Sequence, residues 1–224
     1  MRAAFDGGVT LLGGGPWQDQ DLTRALAHAP TLVCADGGAN ALAERHPGLT
    51  PDLIVGDLDS LSHRAGWDAA LGDRLVHIAE QDSTDFDKCL RTVTAPFFIG
   101  VGFIGGRIDH ELAVFSSILR EPRPVLLVAD EDVICAAPRS ISFEATVGQR
   151  VSLFPLLPVR GTSEGLRWPL DGLTLAPGGV IATSNEASAK VVRLGFESRG
   201  ALLILPKERL ASTLRAICDV RKPD

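Results

Sequence analysis

Eight aspartates of this 224-residue chain fall within four short motifs that also carry Gly or Thr: Cys34-Ala-Asp-Gly-Gly-Ala-Asn40, Pro51-Asp-Leu-Ile-Val-Gly-Asp-Leu-Asp-Ser60, Gln81-Asp-Ser-Thr-Asp-Phe-Asp-Lys88 and Gly105-Gly-Arg-Ile-Asp-His110. Asp57 and Asp59 stand two apart, so on an extended chain both carboxylates face the same side and can share one cation. After Gln81, the residues Phe86, Cys89, Leu90 and Val93 recur at helical spacing, which places Asp82, Ser83 and Thr84 at a helix start. Any of the three serves as a cap. Equally, Thr84, the free N–H groups and Lys88 suit phosphate oxygens, while Asp85 can reach a metal. In the fourth motif the glycines permit close backbone approach, Arg107 offers a fork to phosphate, and Asp109 is a cap or a ligand of metal or nucleotide. The stretch from Asp36 to Asn40 reads by itself as a tight turn with φ > 0. Gly13-Gly14-Gly15 lacks dinucleotide-fingerprint spacing and reads as a strand exit that approaches a ligand.

Each motif follows a short apolar run. Segments 9–12, 31–35, 53–55, 75–78, 97–101 and 125–129 read as strands, with helices over 21–29 and 40–46, at the Gln81 motif, and after Gly105 with Leu112, Phe115 and Leu119 as an apolar face. Strands alternating with helices predict an α/β N-terminal domain over 1–131 with a mostly parallel, doubly wound sheet. Motifs after parallel strands converge on one crevice, and carboxylates gathered there repel one another unless cations join them. A divalent metal with a phosphate ligand is the chemistry this implies.

Beyond about residue 131 the texture changes to period-two patterns. Strands over 151–154, 173–175, 180–182, 190–194 and 201–205 predict an all-β C-terminal sandwich domain over 132–224, closed by a helix over 206–220. Trp168, by default a core residue, and Ser184-Asn185 also suit a flat, nitrogen-rich heterocycle through stacking and hydrogen bonds. A net charge of −6 argues against nucleic-acid binding and weakly favours a cationic substrate. No apolar run is long enough for a membrane span, and four scattered cysteines without zinc spacing predict buried free thiols in a cytoplasmic protein.

Taken in order, these motifs, together with Gly165-Leu-Arg-Trp-Pro-Leu170 and Thr183-Ser-Asn185, closely resemble those of thiamine pyrophosphokinases. The resemblance implies ATP-dependent pyrophosphate transfer to the hydroxyl of thiamine, giving thiamine diphosphate and AMP. It further implies Mg2+ held by Asp57, Asp59 and Asp85, which are also the catalytic candidates, and nucleotide contacts from Gln81, Thr84, Arg107 and Asp109; Lys88, from the residue reading, and Asp36 complete the nucleotide candidates. Trp168, Ser184 and Asn185 would face thiamine across the interface of a homodimer. Where the family often carries Asn shortly after the Asp-His pair, this chain has Val114. Rival readings are a same-fold pyrophosphokinase for a hydroxymethylpterin, an Asp-x-Asp phosphatase, and a non-catalytic nucleotide sensor.

Overall fold

Four-residue strands with every side chain buried dominate the first half of the computed structural model, which describes residues 3–219. These are β1 (Val9–Leu12), β3 (Leu53–Gly56), β5 (Phe98–Val101) and β6 (Val125–Val128). Burial without alternation is what a parallel sheet covered on both faces requires. With β2 (Thr31–Ala35) and β4 (Leu75–His77) they form the order β6-β5-β1-β2-β3-β4. The pairs β5–β1, β1–β2, β2–β3 and β3–β4 are all parallel. Helices α1 (Asp19–His28), α2 (Asp36–Arg45), α3 (Arg64–Leu71), α4 (Asp85–Thr92) and α5 (Ile108–Arg120) intervene. Among the described residues, 3–117 and 127–130 cluster as one compact unit, and 118–126 and 131–219 as a second.

Two of these helices depart from expectation. Helix α2 begins at Asp36, four residues before the predicted start, because neither Gly37 nor Gly38 adopts positive φ. Their lack of a side chain answers a different need. A Cβ on Gly38 would lie 2.0 Å from the Leu12 carbonyl oxygen, and one on Gly14 would lie 2.9 Å from the Gly37 Cα. The helix start and the loop after β1 therefore pack backbone against backbone. Helix α5 buries Val114 and Ile118, whereas Leu112, expected on its inner face, is 57% exposed. Helix α3 was not foreseen from its sparse apolar pattern.

The second unit is β-rich. In one sheet antiparallel strands follow in the order β11 (Ala182–Glu186), β9 (Arg150–Pro155), β13 (Ala201–Pro206), β7 (Asp132–Ala136). The other runs β8 (Ser140–Glu144), β12 (Val191–Phe196), β10 (Val159–Glu164), then the short Thr174–Leu175 strand. In the second sheet Ile141 faces Leu194 and Phe143 faces Val192, all buried. Helix α6 (Leu210–Asp219) packs on β8 through a stripe of Leu210, Thr213, Leu214 and Ile217. The predicted strand at 180–182 is displaced to Ala182–Glu186, leaving Val180 and Ile181 half exposed. The last residue of the predicted tail helix, Val220, lies outside the described residues. Cys34, Cys89 and Cys135 are buried free thiols, their pKa values pushed up chiefly by burial, Cys135 to about 12. Such thiols are inert at neutral pH. Among the described residues no helix is long and apolar enough to cross a membrane.

The glycine packing yields a test in which one substitution changes sign with place. In α3, Gly66 has open space around its Cβ direction, so Gly66→Ala is expected to raise stability by about 0.5–1 kcal/mol. The same change at Gly38 meets immovable backbone and is expected to cost about 1–3 kcal/mol. Urea midpoints at unchanged m-value read both.

Candidate active site

Parallel pairing brings the C-terminal ends of β1, β2, β3, β4 and β5 to one edge of the sheet, and the four motifs follow four of those strands. A cavity of about 440 Å³ opens there, lined by Gly13, Gly14, Gly15 and Gly102 backbone, by Thr84 and Asp85 at the start of α4, and by Arg107 and His110 around the start of α5. Phe86 and Phe103 meet edge to face at 4.7 Å and form an apolar wall. Val114 adds a second apolar patch where an Asn was expected from the resemblance.

The acidic cluster is organised around Lys88. Its side chain is 2% exposed, and its Nζ lies 3.2 Å from Asp85 Oδ1 and 3.4 Å from Asp57 Oδ2. Burial works against the ammonium charge, yet Asp85 and then Asp57 outweigh it and raise its pKa. Asp57 is held below the usual carboxylate range, first by the Asp59 N–H that donates to Oδ1 at 3.2 Å, then against burial by Gln81 and Lys88. Gln81 donates to Asp57 Oδ2 at 3.1 Å. Thr84 caps α4, accepting from the Asp87 N–H at 3.2 Å, and also reaches the cavity.

Asp36 is the most constrained member. It is 1% exposed, and Oδ2 accepts from the Leu58 N–H at 2.6 Å. Oδ1 is buried without a hydrogen-bond partner among the described residues, and a Cβ on Gly56 would fall 1.9 Å from it. Burial first, then repulsion from Asp85 and Asp57, pushes its pKa up to about 6. A buried carboxylate oxygen without a donor, within the repulsion of two further carboxylates, is oxygen chemistry suited to a hard divalent cation, although the three side chains are not drawn together as a ready-made site.

Not every candidate joins this group. Strand β3 ends at Gly56 and Leu58 takes φ 62°, so the extended geometry that would align Asp57 with Asp59 is absent. Asp59 is exposed, and among the described residues no three His, Cys, Asp or Glu side chains stand ready as a cation site. Asp36, expected as a nucleotide contact, is buried, with Asp85 and Asp57 near enough to repel its charge. Arg107 and Asp109 are both exposed and clasp each other through two bonds of 3.1 and 2.7 Å, so the fork meant for phosphate is closed by its neighbour.

In the β-rich unit Trp168, Ser184 and Asn185 line one cavity of about 300 Å³ with Leu173 and Ile181. Trp168 is 51% exposed, which overturns the core assignment, and Arg167 stacks over its ring at 4.8 Å. Asn185 is buried, donating to the Trp168 carbonyl at 2.7 Å and accepting from the Trp168 N–H at 3.2 Å. Its amide thus fixes the tryptophan backbone. Ser184, at φ 58°, turns outward. Ser60 lines the first cavity and Asn40 bonds to its carbonyl, and the sequence gives neither a role. Their signal was membership of the strand-end motifs.

The raised pKa of Asp36 implies a measurable cost. The folded protein holds this proton more tightly than the unfolded chain, so the contribution favours folding below the ordinary 3.8 and is lost as pH rises to about 6. Asp36→Asn should remove the buried charge while keeping an acceptor for Leu58. We expect it to stabilise the ligand-free protein at neutral pH by about 1–2 kcal/mol and to weaken the pH dependence of unfolding between those values. Thermal unfolding across pH 3.5–8 checks this.

Comparison with known proteins agrees with the layout. The family model for the thiamin pyrophosphokinase catalytic domain matches residues 22–126, and that for the thiamin pyrophosphokinase vitamin B1 binding domain matches residues 140–199. Thiamine pyrophosphokinase 1 of Oryza sativa subsp. japonica is 30% identical over 198 residues, 74% of this chain and 75% of that protein. The thiamin pyrophosphokinase of Geobacillus thermodenitrificans superposes with a TM-score of 0.70 at 25% identity, covering 89% of this chain and 96% of that one. The Candida albicans enzyme shares the fold with a TM-score of 0.75 at 17% identity, covering 92% and 93%. Two consecutive family models spanning most of the sequence, and a relative similar over three quarters of it, establish that this chain belongs to the thiamine pyrophosphokinase family.

Proposed function

We propose that the protein transfers the pyrophosphoryl group of ATP to the hydroxyl of thiamine, giving thiamine diphosphate and AMP. The observation that carries this reading is the glycine-walled cavity at the strand ends, with Thr84, Asp85 and Arg107 at its rim. Residues 1–131 form the nucleotide side. Residues 132–224, read as a sandwich, form the thiamine side, with Trp168 and Ser184 as the contact surface and Asn185 holding Trp168 in place. A homodimer that lends these residues across its interface accounts for a half-exposed tryptophan, and free buried thiols favour the cytosol. No observation favours the pterin, phosphatase or sensor alternatives.

The residues act as follows. Backbone N–H groups of the glycine loops and of the start of α4 receive the anionic triphosphate, and the helix dipole there favours negative charge. Arg107 exchanges Asp109 for a phosphate oxygen, a swap its exposed position permits. Gln81 and Lys88 keep Asp57 oriented. Asp57, Asp59 and Asp85, with Asp36 beside them, would hold a divalent metal, Mg2+ in our reading, which when bound supplies positive charge against the triphosphate. The hydroxyl oxygen of thiamine bonds to the β-phosphorus as the bond from that phosphorus to the α,β-bridging oxygen breaks. AMP takes the bridging oxygen, and the hydroxyl proton passes to a nearby aspartate.

The direct assay is AMP formation from ATP with and without thiamine and metal. AMP made only with both present is the expected result; free phosphate would indicate a phosphatase and binding without product a sensor. Asp57→Asn is expected to lower turnover by about 1,000-fold or more while thermal unfolding stays near wild type. Near-normal turnover would remove Asp57 from the mechanism. Trp168→Ala is expected to raise the KM for thiamine by about 10-fold with a smaller change in kcat, and unchanged KM would sink its assignment as the thiamine contact.

A further inference from the structure

The loop that carries Asp57 and Asp59 contains a left-handed Leu58 and is not part of any helix or strand. Something must hold it. Two side chains from one face of α2, Asp36 and Asn40, four residues apart, reach it at successive points. Asp36 accepts the Leu58 N–H at 2.6 Å. Asn40 uses both ends of its amide: Nδ2 donates to the Ser60 carbonyl at 2.8 Å, and Oδ1 accepts from the Ser62 N–H at 2.8 Å. Ser60 in turn lines the cavity.

We propose that Asn40 is a positioning residue for the reaction, clamping residues 60–62 so that Asp57 and Asp59 are held where the triphosphate and its cation arrive. The proposal rests on the roles given above to Asp57 and Asp59. A clamp transmits position only if its own base is fixed, and that condition is met. Helix α2 cannot slide toward the sheet, because Gly38 already lies against the Leu12 carbonyl and Gly37 against Gly14. The amide thus references a loop of irregular backbone to the end of β1. Asn suits the position because one short side chain supplies a donor and an acceptor together. Aspartate lacks the donor, and alanine lacks both.

Asn40→Ala is expected to lower kcat by about 10- to 100-fold, the cost of a displacement near 1 Å at reacting groups, while the KM for thiamine stays within about twofold. In the ligand-free variant, amide hydrogen exchange at Ser62 should accelerate with no change at β1, β2 or β3, a readout independent of turnover. Asn40→Asp retains the acceptor for Ser62 and should fall between wild type and Asn40→Ala in kcat, with Ser62 still protected. It also serves as the test if the alanine variant does not fold. Wild-type kcat in Asn40→Ala, alongside an inactive Asp57→Asn, would refute the clamp and leave the functional reading standing. Active Asp57→Asn would refute both. Faster exchange throughout the β1–β3 strands, in step with lost activity, would show Asn40 to be merely structural and overturn the proposal.

Discussion

Negative charge concentrated at one edge of a parallel sheet is the constraint around which the α/β unit is arranged. Parallel strands deliver every C-terminal end to the same side, and this chain places Asp57 and Asp85 there within repulsion of Asp36. Lys88 supplies the compensating charge between Asp57 and Asp85. Because its ammonium is buried and shared by both, it keeps a partner when one of them is neutralised and would lose its solvation only if both were removed. Asp36 bears the remaining cost, visible as a pKa near 6 and an oxygen without a donor. Local instability of this kind is common where a protein is built to receive a ligand.

Glycine makes that concentration geometrically possible. Gly56 leaves room for the Asp36 carboxylate, Gly38 lets α2 begin against Leu12, and Gly13 and Gly102 let adjoining strand exits touch. The result is a cavity floor of backbone, open to an anion, with the carboxylates at its side. In the β-rich unit a different device serves a similar end: Asn185 is buried so that Trp168 can stand half exposed, held by its own backbone. A polar side chain consumed in fixing an aromatic face is the arrangement expected where stacking, rather than hydrogen bonding, does the recognising.

The legible parts were those set by periodicity and composition. Runs such as Val9–Leu12 and Phe98–Val101 are too uniformly apolar to be anything but covered strands, and the thiols at Cys34 and Cys89 sit inside such runs or on an apolar helical stripe. Phe86, Cys89, Leu90 and Val93 are buried as their spacing requires. The errors arose where a local rule met a tertiary requirement. Gly37 and Gly38 looked like turn residues because Gly supplies positive φ, but close approach was the demand. Leu112 fits a helical stripe in α5, yet the packed face is set by Val114 and Ile118. Asp57 and Asp59 would align on an extended strand, but Leu58 turns left-handed and separates them.

By itself the sequence determined the gathering of acidic and glycine-bearing motifs after apolar runs, the alternation of strands and helices followed by period-two strands, and the ordered motifs that mark the family. These follow from residue type and spacing, which act over a few positions. Only the tertiary structure decided that Asp36 is buried within repulsion of Asp57 and Asp85 while Asp59 stays exposed, that Lys88 lies between two acids, and that Trp168 faces outward. Each of those depends on groups far apart in the chain meeting at set distances, and on which of them loses its water in doing so.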